Sequence, residues 1–188
     1  MPTPLLIIIS GPPGAGKTTL GRYLAQELHL PFLNKDDIKE LLFDNLGWSD
    51  RPWSRKLGMT SYELLYHFIE VQLRAGGSLI TESNFDPLYA GARFLSLKER
   101  YGFEPIQIQC FTEGTVLLER IKARSTSGER HPGHEEHIYY HEFVDVLLRG
   151  KLDSLDIGGQ LLEVDTTDFT KVDYKKVLDW IIAKTEEE

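Results

Sequence analysis

Leu5-Leu6-Ile7-Ile8-Ile9-Ser10 runs directly into Gly11-Pro12-Pro13-Gly14-Ala15-Gly16-Lys17-Thr18, with Thr19 following. The first six residues are an apolar run of buried-strand type, and the next eight fit the pattern G-x-x-x-x-G-K-[ST]. A strand that feeds this pattern into a helix is expected to form a phosphate-binding loop. Its glycines let backbone N–H groups turn inward around phosphate oxygens, and the following helix aims its positive dipole end at the same anion. Gly11, Pro12, Pro13, Gly14, Ala15 and Gly16 are thus expected to line the nucleotide together with Lys17, Thr18 and Thr19. Lys17 is expected to reach the β/γ-phosphates, and the Thr18 hydroxyl to hold Mg²⁺, which binds through few protein oxygens plus phosphates and water.

Working outward, the 188 residues are 41% hydrophobic and 27% charged, which fits one domain, 1–188, able to bury a full core without disulfides. The single cysteine, Cys110, sits in Ile106-Gln107-Ile108-Gln109-Cys110-Phe111, a half-buried strand pattern, and points to a reducing compartment. The start of the chain has no basic region before its apolar stretch, and no apolar run approaches the roughly 20 residues that span a bilayer. A cytoplasmic location with no membrane partner is expected. Twenty-one basic against 29 acidic side chains leave a net charge of −8, which disfavours long contacts along nucleic-acid phosphates but permits local capture of an end.

After the loop, Leu20, Tyr23, Leu24 and Leu28 recur at helical spacing, and Pro31 closes that region before a short strand at Phe32-Leu33-Asn34. A helix is expected from about Asp37 to Leu46, a loop from Gly47 to Trp53, and a long helix from Arg55 to Ala75 with Leu65, Phe68, Ile69 and Leu73 on one stripe. Strands follow at Ser78 to Glu82, Ile106 to Phe111 and Leu161 to Val164. Helices are expected at Pro87 to Arg100, Thr115 to about Ser125, Tyr139 to Leu148 and Val172 to Lys184, with a frayed tail at Glu186-Glu187-Glu188. Strands alternating with helices imply an α/β fold, a five-stranded parallel sheet flanked by helices. Residues 125–137, rich in Gly, Pro and charge, read as a mobile lid.

In open α/β sheets ligands gather beyond the carboxyl ends of strands. Asn34-Lys35-Asp36-Asp37-Ile38-Lys39 follows the second strand. Asp37 and Glu40 have the spacing of a helix-capping pair, which leaves Asp36 to accept the proton of an attacking hydroxyl; capping or a metal-water contact is its alternative role. Lys39, one turn on, can neutralise charge beside it. At the next strand end, Thr81-Glu82-Ser83-Asn84-Phe85-Asp86-Pro87, Glu82 is expected to order a Mg²⁺-bound water, Ser83 or Asn84 to bond the substrate, and Asp86 to cap the helix whose first turn holds Pro87.

Arg120 and Arg124 lie four residues apart on one helical face that leads into the lid, where Arg130 follows; such arginines either cover the transferred phosphoryl group when the site closes or form a solvated face. His131, His134, His137 and His141 with Glu135 and Glu136 lack the firmer ligand spacing of zinc sites, and histidines beside a phosphate site more often contact substrate or solvent. Trp48, Trp53, Tyr139 and Tyr140 read as packing residues, with stacking on a base or ring as the alternative.

The loop, the N-x-D-D-x-x-K step, the strand-end E-S-N-F-D-P and the arginine-bearing lid together resemble the P-loop kinases that group polynucleotide 5′-hydroxyl kinase with zeta toxins and chloramphenicol phosphotransferase. The resemblance implies a nucleoside-kinase-like P-loop NTPase fold, ATP as donor and Mg²⁺ as cofactor. It implies that Asp36 activates a hydroxyl and that Lys39, at a position usually held by arginine, binds a phosphate; lysine lacks arginine's bidentate fork. It places lid arginines at Arg120, Arg124 and Arg130, with Arg124 also on the nucleotide, and sets Thr166 and Thr167 beside the adenine. The expected activity is γ-phosphate transfer to a hydroxyl acceptor, a nucleic-acid 5′ end first. A small metabolite, sugar or antibiotic, or a regulatory module without transfer, are the alternatives.

Overall fold

A computed structural model describes residues 3–128, 130–135, 138 and 140–186. Five parallel strands, β1 (Leu5–Ser10), β2 (Phe32–Asn34), β3 (Leu79–Glu82), β4 (Glu104–Phe111) and β5 (Gln160–Asp165), form one sheet in the order β2-β3-β1-β4-β5. β1 lies in the middle, Ile7 level with Ile80 of β3 on one side and Ile106 of β4 on the other.

The unbroken apolar run of β1 follows from burial on both faces. Side chains alternate along a strand, so Ile7 and Ile9 enter one core with Leu20, Leu24, Ile108, Leu117 and Ile181, while Leu6 and Ile8 enter the other with Leu65, Ile69, Phe94 and Phe103. All four β1 residues are at most 1% exposed, and each contributes roughly 1.5–3 kcal/mol relative to exposure. The first core is closed by α1 (Lys17–Leu28), α5 (Gly114–Ser127) and α7 (Tyr174–Glu186). The second is closed by α3 (Arg51–Arg74) and α4 (Pro87–Tyr101). α2 (Lys35–Leu46) packs on α3, and the short α6 (Val144–Arg149) packs on α5.

Several boundaries differ from the expected ones, and caps explain the differences. α2 starts at Lys35 because Asn34 is its cap, its side-chain oxygen accepting from the Asp36 and Asp37 N–H groups. The Asp37/Glu40 capping pair does not form; Asp37 faces Arg22 instead, and Glu40 turns to His134. α3 starts at Arg51, not Arg55, because Asp50 caps it at Trp53 N–H and Pro52 fits the first turn. Phe68, expected on the buried stripe, is 43% exposed, whereas Leu65, Ile69 and Leu73 are buried. α5 runs on to Ser127 and stops at Gly128, φ +73°. The expected helix from Tyr139 opens as a 3₁₀ turn, Tyr140–Phe143, before α6; Tyr139 itself and the tail residues Glu187 and Glu188 lie outside the described residues. Asp86 caps α4 at Leu88 N–H as expected. No helix among the described residues is long and apolar enough to cross a membrane.

Candidate functional site

The loop Gly11–Gly16 leaves the carboxyl end of the central strand, between β3 and β4, where the sheet opens a crevice. Gly11 (φ +146°) is required by close approach: a Cβ there would lie 2.3 Å from the Cys110 carbonyl oxygen of β4. Gly16 (φ +72°) ends the loop as the N-cap of α1 and makes no side-chain capping bond, so the first-turn N–H groups face the crevice as an anion site. Buried Lys17 donates through Nζ to the Pro12 carbonyl at 3.0 Å and lies 3.6 Å from Glu82.

Three strand ends meet at this loop. Thr18 Oγ1 donates to Glu82 Oε2 at 2.9 Å and accepts from Asn34 Nδ2 at 3.3 Å, tying β3 and β2 to α1. Burial pushes the Glu82 carboxyl up from its usual value, against the pull of Lys17 and the Thr18 bond. A hydroxyl and a carboxylate at the phosphate loop form a donor set of hard oxygens, and they fit a Mg²⁺ ion that takes its remaining ligands from phosphates and water.

A cavity of about 690 Å³ joins the phosphate loop to the start of α2 and to the lid, with Lys17, Asp36, Lys39, Glu82, Arg124 and Arg130 on its walls. Pro13, Gly14, Gly16, Thr18 and Thr19 also line it. Gly11, Pro12 and Ala15 are buried and act as framework instead. Asp36 is 36% exposed and is gripped from two sides, by Lys35 Nζ at 3.0 Å and Arg130 Nη2 at 2.5 Å. Burial alone would raise its carboxyl, yet Lys35, Arg130 and His134 together hold it well below the usual carboxylate range. It is ionised at neutral pH.

Lys39 is 7% exposed and donates to Ser54 Oγ of α3 at 3.0 Å. Burial first, then the neighbouring cations Lys35, Arg51 and Arg130, lower its ammonium to about 8, with Asp36 opposing.

Of the stretch expected to form a lid, residues 125–127 belong to α5, and Arg130, His131, Gly133 and His134 are docked on α2. Gly133 packs on the Phe43 ring, where a Cβ would meet ring carbons at 2.8 Å, and its carbonyl accepts from Ser54 Oγ at 3.3 Å. His131 and His134 stack against and edge onto Phe43 and bond Asp44 and Glu40. Among the described residues no group of three or more His, Cys, Asp or Glu is arranged to hold a metal; Glu136 and His137 of the cluster, and Glu129 of the lid, lie outside them.

Arg120 lines the cavity from α5, and its Nη1 donates to the Gly14 carbonyl of the phosphate loop at 3.5 Å. Its Nη2 donates to the carbonyls of Thr166 and Thr167 at 2.9 and 2.8 Å, and its guanidinium covers the Phe169 ring at 3.6 Å. Its bonds thus join the loop after β5 to the phosphate loop. Thr166 is buried, its hydroxyl shared with Thr112 at 2.6 Å, and Thr167 Oγ1 accepts from Glu113 N–H, so both threonine side chains build the loop and do not face the crevice. Trp48 packs edge-on against His131, and Trp53 donates to the Gly47 carbonyl; both are packing residues. The side chains of Tyr139 and Tyr140 lie outside the described residues.

Lys35, Ser54 and Phe169 carry parts of the site that sequence reading did not assign. Lys35 adjoins Asp36 and was within reach of a charge argument; Ser54 and Phe169 lie in segments whose relation to the site arises only on folding.

A central phosphate loop, strand-end carboxylates and a basic lid over one crevice define a P-loop kinase fold. The chain belongs to the family described as an AAA domain, whose profile matches residues 6–139. A solved structure from Chloroflexus aurantiacus J-10-fl, described as a candidate kinase, is 43% identical, covers 100% of this chain and 98% of its own, and superposes with a TM-score of 0.88. Shikimate kinase of Pseudomonas fluorescens (strain Pf0-1) is 36% identical over 100 residues, 48% of this chain and 56% of that protein. The chain thus spans about half the length of the curated relatives it matches. A sugar kinase from Janibacter sp. HTCC2649 shares the fold at 15% identity, with a TM-score of 0.58 over 98% of this chain and 95% of its own. These relatives support the broad P-loop kinase resemblance; the narrower likeness to polynucleotide 5′-hydroxyl kinase, zeta toxin and chloramphenicol phosphotransferase rests on the motifs alone.

Proposed function

We infer that this protein is an ATP-dependent kinase that transfers the γ-phosphate to a hydroxyl of a small molecule. The observation that carries the reading is Asp36: a carboxylate held ionised, on the wall of the same cavity as the phosphate loop. A switch that only binds nucleotide needs no such group. The size of the cavity and the small-molecule kinases among the relatives support a small acceptor.

In this reading Lys17 leaves the Pro12 carbonyl to bridge the β/γ-phosphates, while the first-turn N–H groups of α1 hold the phosphate oxygens. Asp36 accepts the hydrogen bond of the acceptor hydroxyl and takes its proton as the oxygen attacks phosphorus. Thr18 and Glu82 would hold Mg²⁺, which supplies neutralisation of phosphate charge. Arg124 from the end of α5 and Arg130 from the lid cover the transferred group, and Arg120 holds the loop after β5 beside the nucleotide base. Lys39 faces any negative group on the acceptor.

A nucleic-acid 5′-hydroxyl end is the second reading, supported by the N-x-D-D-x-x-K step and opposed by the net charge of −8. A panel of hydroxyl acceptors with γ-labelled ATP and Mg²⁺, with Asp36→Asn as control, decides between them. Label on a sugar, hydroxy acid or antibiotic that disappears in the variant supports the small-molecule kinase. Label on a short oligonucleotide 5′ end supports the second reading, and absence of any Asp36-dependent transfer sinks both. Use of ATP and the lone cysteine both fit a cytoplasmic site of action.

A further inference from the structure

Glu40 has no role in the chemistry described above, yet it is one end of a hydrogen-bonded chain that reaches Asp36. Its Oε1 lies 2.9 Å from His134 Nε2. The other ring nitrogen, Nδ1, lies 3.4 Å from Arg130 Nη2, and that same Nη2 is 2.5 Å from Asp36 Oδ2. His134 is 8% exposed, its ring fixed edge-on against Phe43 at 5.4 Å. A ring so confined meets both neighbours with its two nitrogens and cannot trade one for the other.

Only one protonation state satisfies both neighbours. A carboxylate facing Nε2 requires the hydrogen there, and a guanidinium N–H facing Nδ1 requires a lone pair there. The groups facing the ring agree with a neutral imidazole: burial lowers His134 first, Arg130 and Lys39 lower it further, and Glu40 and Asp36 oppose them. Glu40 in turn is lowered by the bond from His134 and so stays the acceptor. The neighbouring His131 shows the same pattern, its Nδ1 accepting from Gly133 N–H at 3.0 Å and its Nε2 facing Asp44 at 3.1 Å. Asp36, Glu40 and Asp44 are spaced four residues apart along α2, so one helical face meets Arg130, His134 and His131 of the lid.

We propose that Glu40 is a positioning residue: by fixing the Nε2–H tautomer of His134 it turns the lone pair of Nδ1 toward Arg130 and holds the lid guanidinium against Asp36. The catalytic consequence rests on the kinase reading above; the tautomer does not. Behind metal-ligating histidines such an orienting group accounts for about 10- to 100-fold, which sets the upper range for the effect expected here.

The test uses the full chain labelled with ¹⁵N. Long-range ring ¹⁵N–¹H spectra at pH 7.5, with the His134 signals assigned by their loss in His134→Gln, should show the Nε2–H tautomer in the wild type and a tautomer mixture in Glu40→Leu, which leaves Nε2 without its acceptor. Hydrolysis of MgATP, with water as acceptor, should fall by up to roughly 10- to 100-fold in Glu40→Leu with KM for ATP unchanged, and by less in Glu40→Gln, whose amide oxygen still accepts from Nε2–H. His134→Gln, whose amide can both accept from Arg130 and donate to Glu40, should turn over faster than His134→Phe, which keeps the ring packing on Phe43 and loses both nitrogens. A wild-type Nδ1–H tautomer, or equal turnover of the Phe and Gln variants, overturns the proposal. Wild-type protein that turns over no ATP with water or any acceptor fails the kinase reading alone, because the ring spectra still decide the tautomer.

Discussion

At the phosphate-loop end of the cavity the wall comes from one short stretch, Pro13, Gly14 and Gly16 to Thr19, and its shape is set by backbone geometry: Gly11 gives way to the Cys110 carbonyl, and Gly16 leaves the first turn of α1 open. At the acceptor end, Asp36 and Lys39 of α2 meet Ser54 of α3 and Arg130 and His134 of the lid, 15 to 94 residues apart in sequence, and side-chain charge does the holding. The phosphate-loop end takes its shape from the sheet, whereas the other end is built from side-chain contacts of Arg130, His131, Gly133 and His134 with α2.

Substitutions that break one end and spare the other sharpen this comparison. Lys17→Ala removes the charge bridging the β/γ-phosphates and should eliminate measurable transfer of label from γ-labelled ATP. Asp36→Asn should lower transfer roughly 10²- to 10⁴-fold, the range for loss of a general base, while ATP affinity by calorimetry stays near the wild-type value. Collapse of ATP binding in that variant would make Asp36 structural.

Two glycine substitutions should separate the ends by stability. Gly11→Ala forces a Cβ to 2.3 Å from a β4 carbonyl at φ +146° and should cost about 1–3 kcal/mol of global stability, read from a denaturant midpoint. Gly133→Ala presses a Cβ on the Phe43 ring and should leave that midpoint nearly unchanged, while amide exchange of residues 130–135 speeds up as the lid undocks. Equal loss of global stability in both would show the lid to be part of the cooperative core.

The smallest effects are in pH dependence. His134 has a folded-state value below its ordinary 6.5, so it contributes stability that is fully present above pH 6.5 and is lost as pH falls through the folded value. Lid protection measured by hydrogen exchange should therefore decline on acidification from pH 7 toward 5. Lys39, lowered to about 8, is charged in both folded and unfolded chains below pH 8, and its burial penalty is relieved as pH rises from about 8 to its ordinary 10.5. Lys39→Met should remove that rise in stability, as seen in denaturant midpoints at pH 7.5 and 9.5.

Much of this molecule was legible before folding because the relevant signals are local. The β1 run, the glycines of the loop and the alternation of strands and helices each depend on residues a few positions apart, and they determined the parallel sheet, the phosphate site and the strand-end positions of Asp36 and Glu82. Caps were legible only in part: Asp86 read correctly, but Asn34 took the role expected of Asp37 because the strand delivers its side chain onto the first turn of α2. Tertiary structure alone decided which groups Arg120 and Arg130 contact. Arg120 and Arg124 look alike on a helical wheel, yet Thr166, Thr167 and Phe169 of a distant loop claim Arg120, and α2 claims Arg130. No spacing along the chain encodes that choice, since the partners are 46 to 94 residues away and are brought within bonding distance only when the sheet places β5 beside β4 and the lid folds back over α2.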